Sequence, residues 1–345
     1  MRGLIDHSRE SSASQEAALC SQQNFNAANF SVVRTHDGAL REMSDTEPAK
    51  QNKPRNPLEG ARLAFIGCGV MAEAIIAGLL RKQLVTAGQI VGSHPRTARR
   101  EELYTKYATQ MFESNREAAV AAHPSQDSTA TANAGSLIIL AVKPQRLNKV
   151  LHELKGTLHP DQLVISIVAG ARSETIAGQL LHPAVVRAMP NTPAQIGHGM
   201  TAWTATAEVS ETQEREVGAM LEALGTAIRV ENERQIDMAT ALSATGPTYI
   251  FLVMEALVDA GVHMGFSRHV AQDLVQQTML GSVLFAKESQ KHPAELRNMV
   301  TSPGGTSAEA IYQMEKGGLR TVLSKAVWAA YQRAEALGAK SKDEK

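Results

Sequence analysis

A Gly-x-Gly-x-x-Ala motif, set between a short apolar run and an apolar-periodic stretch, constrains the fold of this 345-residue chain more than any other feature. The run Arg62–Ile66 predicts a strand, the motif occupies residues 67–72, and the periodicity after it predicts a helix over 74–80. In that context Gly67 permits a tight turn, and Gly69 lets the backbone approach a pyrophosphate at the positive end of the helix. The pattern therefore predicts a dinucleotide-binding turn, and the competing interpretation is an ordinary strand–helix turn.

A basic segment follows the second predicted strand, residues 89–92, where an NAD-selective site would place an acidic residue for the ribose 2′-hydroxyl. This segment contains Ser93, Arg96 and Arg99. Hydroxyl and guanidinium groups suit a 2′-phosphate, so the sequence favours NADPH, with NADH still allowed. The competing interpretation is the solvated basic start of a helix.

Three further apolar runs, at 137–142, 163–168 and 184–189, predict parallel strands that are covered on both faces. Polar or Gly/Pro turns follow each of them, and ligands of doubly wound sheets bind at the carboxyl ends of strands. Any one of these turns could be purely structural, but together they are expected to line a coenzyme cleft. The candidate coenzyme contacts are Gly67, Gly69, Val70, Met71, Ala72, Ser93, Arg96, Asn115, Ala141, Val142, Lys143, Pro144, Ala169, Gly170 and Asn191.

The chain after about residue 231 shows no strand pattern and predicts an all-helical domain. Residues 247–265 are apolar nearly all round, and a helix of that kind must be buried on every face. A domain of about 110 residues has too little mass to bury it alone, which predicts burial against a second copy of the chain. The predicted organisation is a disordered extension over 1–59, a Rossmann-type doubly wound domain over 60–230, and a helical dimerisation domain over 231–340.

Two segments are polar and of low complexity, namely the extension over 1–59 and a stretch over 121–134. The extension has no apolar segment of the signal-peptide type, and its acidic residues fit a transit peptide poorly. The interpretation as a disordered tail includes a start at Met43, and a targeting role is the alternative. The second stretch predicts a surface insertion without chemistry.

The composition argues against several function classes. Lys+Arg and Asp+Glu are equal at 35 each, so no bulk charge favours a nucleic acid or a membrane surface, and no apolar run approaches the length of about 20 residues that spans a bilayer. Two cysteines cannot form a disulfide framework, and the 11 histidines show no ligand spacing. We therefore expect a cytoplasmic protein with no metal, nucleic-acid or membrane partner.

A hydroxyl- and glycine-rich turn at 300–307 opens another predicted helix. Its backbone N–H groups would suit a carboxylate, whereas a simple Ser/Thr-capped helix start is the equal alternative. The candidate substrate contacts are Val300, Ser302, Gly304, Gly305, Thr306 and Ser307.

In order and spacing, the motifs at 65–72, 141–144, 189–193 and 302–306 resemble those of the pyrroline-5-carboxylate reductase family, and the resemblance covers about residues 60–340. It implies a Rossmann domain followed by a helical domain that interleaves with its twin, in a homodimer or in a larger ring such as a decamer. It also implies hydride transfer from NADPH or NADH to the C=N carbon of pyrroline-5-carboxylate, which gives L-proline in the last step of proline biosynthesis.

The resemblance also assigns catalytic roles. A protonated cyclic imine is already electrophilic, so the enzyme needs positioning and a hydrogen-bond donor at the nitrogen. Ser307 stands where the family has a threonine and is the candidate donor, with Thr306 beside it. A second departure is Ala244, which replaces a glycine in the family's Ser-Gly-x-Gly-Pro-Ala turn.

Two other functions remain open from the sequence. A related imine or β-hydroxyacid dehydrogenase shares the architecture, but the hydroxyacid enzymes need a lysine in the first long helix and residues 243–259 contain none. A non-catalytic NADPH-binding paralogue is the third possibility, and only Ser307 and Ala244 favour it.

Overall fold

The structure, a computed structural model, describes residues 56–123 and 135–343. Most of the predicted extension and most of the insertion over 121–134 lie outside these ranges. Leu58, which the sequence placed in the extension, is fully buried in the core, and its backbone carbonyl accepts a hydrogen bond from Gln89. The packed core of the described chain therefore already includes Leu58, close to the predicted boundary.

The N-terminal part alternates strands and helices around one eight-stranded sheet in the order β3-β2-β1-β4-β5-β6-β7-β8. All neighbouring strands are parallel except β6 and β7. The strands are β1 Arg62–Ile66, β2 Ile90–Ser93, β3 Gln110–Phe112, β4 Ser136–Leu140, β5 Leu163–Ser166, β6 Val185–Met189, β7 Gly199–Ala205 and β8 Gly225–Arg229. The helices are α1 Val70–Arg81, α2 Thr97–Tyr107, α3 Asn115–Ala121, α4 Pro144–Leu154, α5 Ser173–Leu180 and α6 Glu211–Glu222.

The apolar strands lie at the centre of this sheet, and helices cover both of its faces. Every residue of β4, β5 and β6 is buried, and two separate apolar clusters fill the two faces. The prediction of a doubly wound sheet is confirmed. Its parallel strands place the turns after β1, β2, β4 and β5 along one edge, which is here called the coenzyme edge.

The C-terminal part is helical, and no strand follows Arg229 in the described chain. A π-helical segment, Thr240–Ala244, joins its first two helices. The helices are α7 Glu233–Ala239, α8 Gly246–His263, α9 Arg268–Ser289, α10 Pro293–Met299, α11 Thr306–Lys316 and α12 Leu319–Asp343.

Many large apolar side chains of α8, α9 and α12 are exposed in the single chain, among them Phe251 and Leu252 at 60% and 66%. By length and composition alone, the helical stretch Glu233–His263 could cross a membrane, and 11% of its most apolar window is buried in the single chain. This stretch comprises α7, the π-helical segment and α8, which run on as one helical stretch. An apolar surface of this size on a folded chain indicates an interaction face.

Candidate active site

The turn between β1 and α1 has the geometry of a phosphate-binding turn. Gly67 has φ +87°, and a Cβ there would approach Val142 Cγ1 to 2.4 Å, so only glycine fits. Gly69 is the N-cap residue of α1 without a side-chain cap, and a Cβ on it would point into open space. The first N–H groups of α1 are therefore open to an anion approaching Gly69. Ala72 is buried, as close packing of α1 on the sheet requires.

Cys68 lies inside this turn and is fully buried. Burial raises the pKa of its thiol to about 12, although the Ser93 backbone and the charge of Arg99 act in the opposite direction. A neutral, inaccessible thiol is no nucleophile, so Cys68 serves packing.

Ser93, the last residue of β2, and Asn115, the first residue of α3, support the turn. The buried Ser93 hydroxyl donates to Asn115 Oδ1 at 2.7 Å and accepts from the Gly67 N–H at 3.4 Å. Asn115 Nδ2 donates to Glu153 Oε2 at 2.6 Å. The Ser93 hydroxyl thus holds Gly67 in place, and it already makes hydrogen bonds to Asn115 and Gly67.

A cleft of about 620 Å³ opens on this side of the coenzyme edge, between the ends of β1 to β4 and helix α4. Its walls carry three cationic side chains and two carboxylates. The lining includes Gly67, Pro95, Glu113, Asn115, Arg116, Val142, Arg146, Lys149 and Glu153.

The arginines after β2 differ in whether their guanidinium groups have hydrogen-bond or ion-pair partners. The Arg96 side chain is exposed, and its guanidinium has no hydrogen bond or ion pair to another residue of the described chain. Arg99 instead pairs with Glu73 and with Glu102, at 2.5 and 2.7 Å, and donates to the Cys68 carbonyl. Arg96 is therefore the residue of this segment that is free to meet a phosphate.

Glu73 is the centre of a small ionic network behind Arg99. Although burial opposes its ionisation, hydrogen bonds from Lys106, Arg99 and Tyr107 lower the pKa of this carboxyl to about 2. The carboxylate stays charged at all physiological pH values and neutralises Arg99.

The other predicted coenzyme contacts fall into two groups, one at the coenzyme edge and one at the junction with the helical part. Ala141 and Val142 follow β4 at the coenzyme edge, while Lys143 and Pro144 begin α4 as its N-cap and first residues. Gly170, with φ +74°, packs against α12, where a Cβ would lie 2.9 Å from Leu337 Cβ. Packing thus explains that glycine without a ligand.

The Asn191 side chain, like Gly170, connects the two parts of the chain. Its oxygen accepts from the Met200 N–H at 2.9 Å, and its Nδ2 donates to the Ser243 carbonyl at 3.3 Å. Ala169 also packs in the small apolar cluster at this junction, together with Met189 and Ile236.

The predicted carboxylate turn leads into α11 with a glycine at the N-cap. Gly304 has φ +69°, Gly305 is the N-cap residue, and no side chain caps the helix. The alternative of a Ser/Thr-capped helix is therefore not what the structure has. Within the described chain, the hydroxyls of Thr306 and Ser307 make no hydrogen bond to another residue. The turn offers free N–H and O–H donors at the positive end of an 11-residue helix.

The structure does not bring this turn together with the coenzyme edge. No hydrogen bond or ion pair between described residues joins residues 300–307 to the sheet domain. Val300 and Ser302 are exposed beside it. Within a single chain, the donors of this turn and those of the coenzyme edge therefore do not form one site.

The sheet with its glycine turn, followed by an all-helical domain, defines an NAD(P)-dependent oxidoreductase. Residues 62–170 match the family described as NADP oxidoreductase, coenzyme F420-dependent, and residues 233–337 match the one described as pyrroline-5-carboxylate reductase dimerisation. Two relatives named pyrroline-5-carboxylate reductase, from Synechocystis and Pseudomonas aeruginosa, are each 40% identical. The first alignment covers 81% of this chain and 99% of the relative, and the second covers 80% and 96%. The chain belongs to the pyrroline-5-carboxylate reductase family.

Solved structures agree with this membership. A pyrroline-5-carboxylate reductase from Coxiella burnetii superposes with a TM-score of 0.71 at 35% identity, over 81% of this chain and 98% of that one. The Plasmodium falciparum enzyme, solved with NADP bound, also has a TM-score of 0.71, at 29% identity over 81% and 99%.

Proposed function

We propose that this protein reduces 1-pyrroline-5-carboxylate to L-proline with NADPH, the last step of proline biosynthesis. The observation that carries the proposal is the pair of uncapped helix starts, at Gly69 and at Gly305, on a chain of this family. One suits a pyrophosphate and the other a substrate carboxylate.

The residues at the coenzyme edge fit NADPH. The open space at Gly69, the free N–H groups of α1 and the neighbouring cleft would take the pyrophosphate and the adenosine ribose. Arg96 would hold the 2′-phosphate, since its guanidinium has no partner among the described residues. When bound, NADPH supplies the hydride, and the chain positions the acceptor carbon against it.

The turn before α11 would hold the substrate. The N–H groups of Gly304 and Thr306 would bind the carboxylate, which the helix dipole also favours. The Gly305 N–H, a further candidate, donates to the Ser302 carbonyl at 3.0 Å and would have to leave it to join them. The Ser307 hydroxyl, one residue into the helix, would donate a hydrogen bond to the ring nitrogen as the imine becomes an amine. Positioning the substrate at these two points would supply most of the catalysis, because the protonated imine is intrinsically reactive.

A second copy would complete the site and cover the apolar faces of α8, α9 and α12. This assignment is supported by the exposure of Phe251 and by the absence of any described hydrogen bond between the α11 turn and the sheet. The proposed unit is a homodimer, which could assemble further into a ring such as a decamer. A buried free thiol such as Cys68 suits the cytoplasm, where we place the enzyme.

The test is a steady-state assay of the purified chain with NADPH and pyrroline-5-carboxylate, with L-proline identified as the product. A β-hydroxyacid with NADP⁺ is the matched substrate control. We expect NADPH oxidation that depends on the imine, and no turnover of the hydroxyacid. Coenzyme binding without turnover of either substrate would instead indicate a non-catalytic paralogue.

A further inference from the structure

A cluster of two imidazoles and one carboxylate lies on the sheet domain, away from the coenzyme edge. Its members are His123, just after α3, and His159 and Asp161, in the connection between α4 and β5. One potential ligand atom from each of the three lies within 4.8 Å of the others. We propose that this cluster is a binding site for a divalent transition-metal ion of the zinc class.

The donor set is the chemical reason for choosing that class. Neutral imidazole nitrogen and carboxylate oxygen are the ligands that Zn²⁺ and Co²⁺ take, and three of them plus water form a common open site. Ligand atoms around one tetrahedral zinc lie about 3.3 Å apart, as its metal–ligand distances of about 2.0 Å require. His123 Nε2 lies 3.5 Å from Asp161 Oδ1, close to that separation. The same oxygen is hydrogen-bonded to His159 Nδ1, and an ion would replace this hydrogen bond by moving the two groups apart.

The two imidazoles lie close to each other in a tilted arrangement. Their ring centroids are 4.2 Å apart and their planes are tilted by 39°. Side chains of His159 and Asp161 are largely exposed, and His123 is partly exposed, so an ion can enter from solvent. With both histidines neutral, the site carries one negative charge, which favours a divalent cation.

A buried glutamine holds the two ligand-bearing segments in a fixed relation. Gln162 is 1% exposed; its Nε2 donates to the Ala119 carbonyl and to Ser136 Oγ, at 3.1 and 3.0 Å. Its Oε1 accepts from the His159 N–H at 2.8 Å. The end of α3 and the α4–β5 connection are thus cross-linked beneath the cluster. Ligands on a preorganised support lose little freedom when an ion binds.

Topology separates this cluster from the reaction. The α4–β5 connection leads into the amino end of β5, whereas the coenzyme turns follow the carboxyl ends of the strands. A strand of five residues such as β4 puts the two edges about 13 Å apart, at roughly 3.3 Å per residue. The ion would therefore stabilise the sheet domain without entering the reductase chemistry.

The test is a Co²⁺ titration of the full-length, tag-free protein after removal of metals by a chelator, followed by visible absorption. We expect one equivalent to bind with ligand-field bands of an imidazole-containing site, and Zn²⁺ to displace it. His159→Ala and Asp161→Asn should each weaken binding at least tenfold. His152→Ala, an exposed histidine on α4 outside the cluster, is the matched control and should bind as the wild type does.

Thermal unfolding gives an independent readout. Zn²⁺ should raise the Tm of the wild type and of His152→Ala, and leave that of His159→Ala unchanged, because only binding to the folded state stabilises it. NADPH oxidation should be the same with and without Zn²⁺. A failure to saturate at millimolar Co²⁺, or equal binding by His159→Ala, would overturn the proposal and leave an ordinary surface ion pair.

Discussion

Arg187 in β6 and Asp237 in α7 form an ion pair, Nη2 to Oδ1 at 2.7 Å, with both side chains almost completely buried. Arg172 approaches the second oxygen of Asp237 at 3.0 Å, and Glu233 lies 3.7 Å from Arg172. The pair fastens the first helix of the helical part to the middle of the coenzyme-binding sheet.

Removal of Asp237 should destabilise the protein strongly. Asp237→Ala removes the hydrogen-bonded partner of the buried Arg187 guanidinium and leaves only Glu233, 3.9 Å away, to balance its charge. Breaking a buried pair typically costs about 3–5 kcal/mol, and the remaining Glu233 places the expected loss toward the lower end. Denaturant unfolding at fixed protein concentration measures the loss in free energy of unfolding. Glu214→Ala is the control, because it breaks a more exposed pair with Arg229 and should cost less than about 1 kcal/mol. Equal losses for the two variants would contradict a structural role for the buried pair.

The buried Glu216 should make stability fall as the pH rises. Burial raises the pKa of this carboxyl to about 7, above its ordinary 4.5. Because the folded-state pKa is raised, the protonated carboxyl contributes its full stabilisation below the unfolded-state pKa of 4.5. This contribution, at most about 3 kcal/mol, is lost as the pH rises to about 7. The difference between the Tm near pH 5 and the Tm near pH 8 should therefore be smaller in Glu216→Gln than in the wild type. The exposed Glu222→Gln, on the same helix, should leave the wild-type pH dependence in place.

Coenzyme choice should depend on Arg96. Arg96→Ala removes one charge-assisted contact to the 2′-phosphate, and such contacts contribute about 1.5–3 kcal/mol, or roughly 10- to 100-fold in KM for NADPH. The KM for NADH should barely change, and Arg215→Ala, an exposed arginine on α6, should affect neither. If both coenzymes lost affinity equally, Arg96 would be supporting the turn rather than the phosphate.

The helical part should lose its partner when its apolar face carries a charge. Phe251→Asp places a carboxylate in the proposed interface and should yield monomers in light scattering, with little reductase activity. Tyr104→Asp alters an equally exposed aromatic on α2 and should remain oligomeric and active. A wild-type chain that is monomeric and fully active at micromolar concentration would refute the proposed assembly.

The central sheet could be predicted from the sequence, and its outer strands could not. Continuous apolar runs mark β1, β4, β5 and β6 because helices cover both faces of these strands. The strand β7 is buried but contains polar residues such as Thr201 and Thr204, and β8 is a mostly exposed edge strand. β3 has only three residues. None of these three strands presents an apolar run.

Local sequence also revealed the two glycine turns, since each needs only a few consecutive residues. The roles of Ser93, Gly170 and Asn191 depend on contacts with distant segments, so spacing along the chain carries no sign of them. The same holds for the cluster at His123, because His123 is more than 30 residues away in sequence from His159 and Asp161. The one available signal for the buried ion pair was Arg187 itself, a charge within an apolar strand.

The measurement that tests the proposed active site most directly is kcat/KM for pyrroline-5-carboxylate in Ser307→Ala, with NADPH as coenzyme. Loss of one donor to developing charge costs about 2–4 kcal/mol, and the less constrained serine places the expectation at the lower end, a fall of at least about tenfold. Ser307→Thr should retain activity, and NADPH affinity should stay at the wild-type value in both variants. Normal turnover by Ser307→Ala would contradict the account and leave Ser307 as an ordinary residue of the first turn of α11.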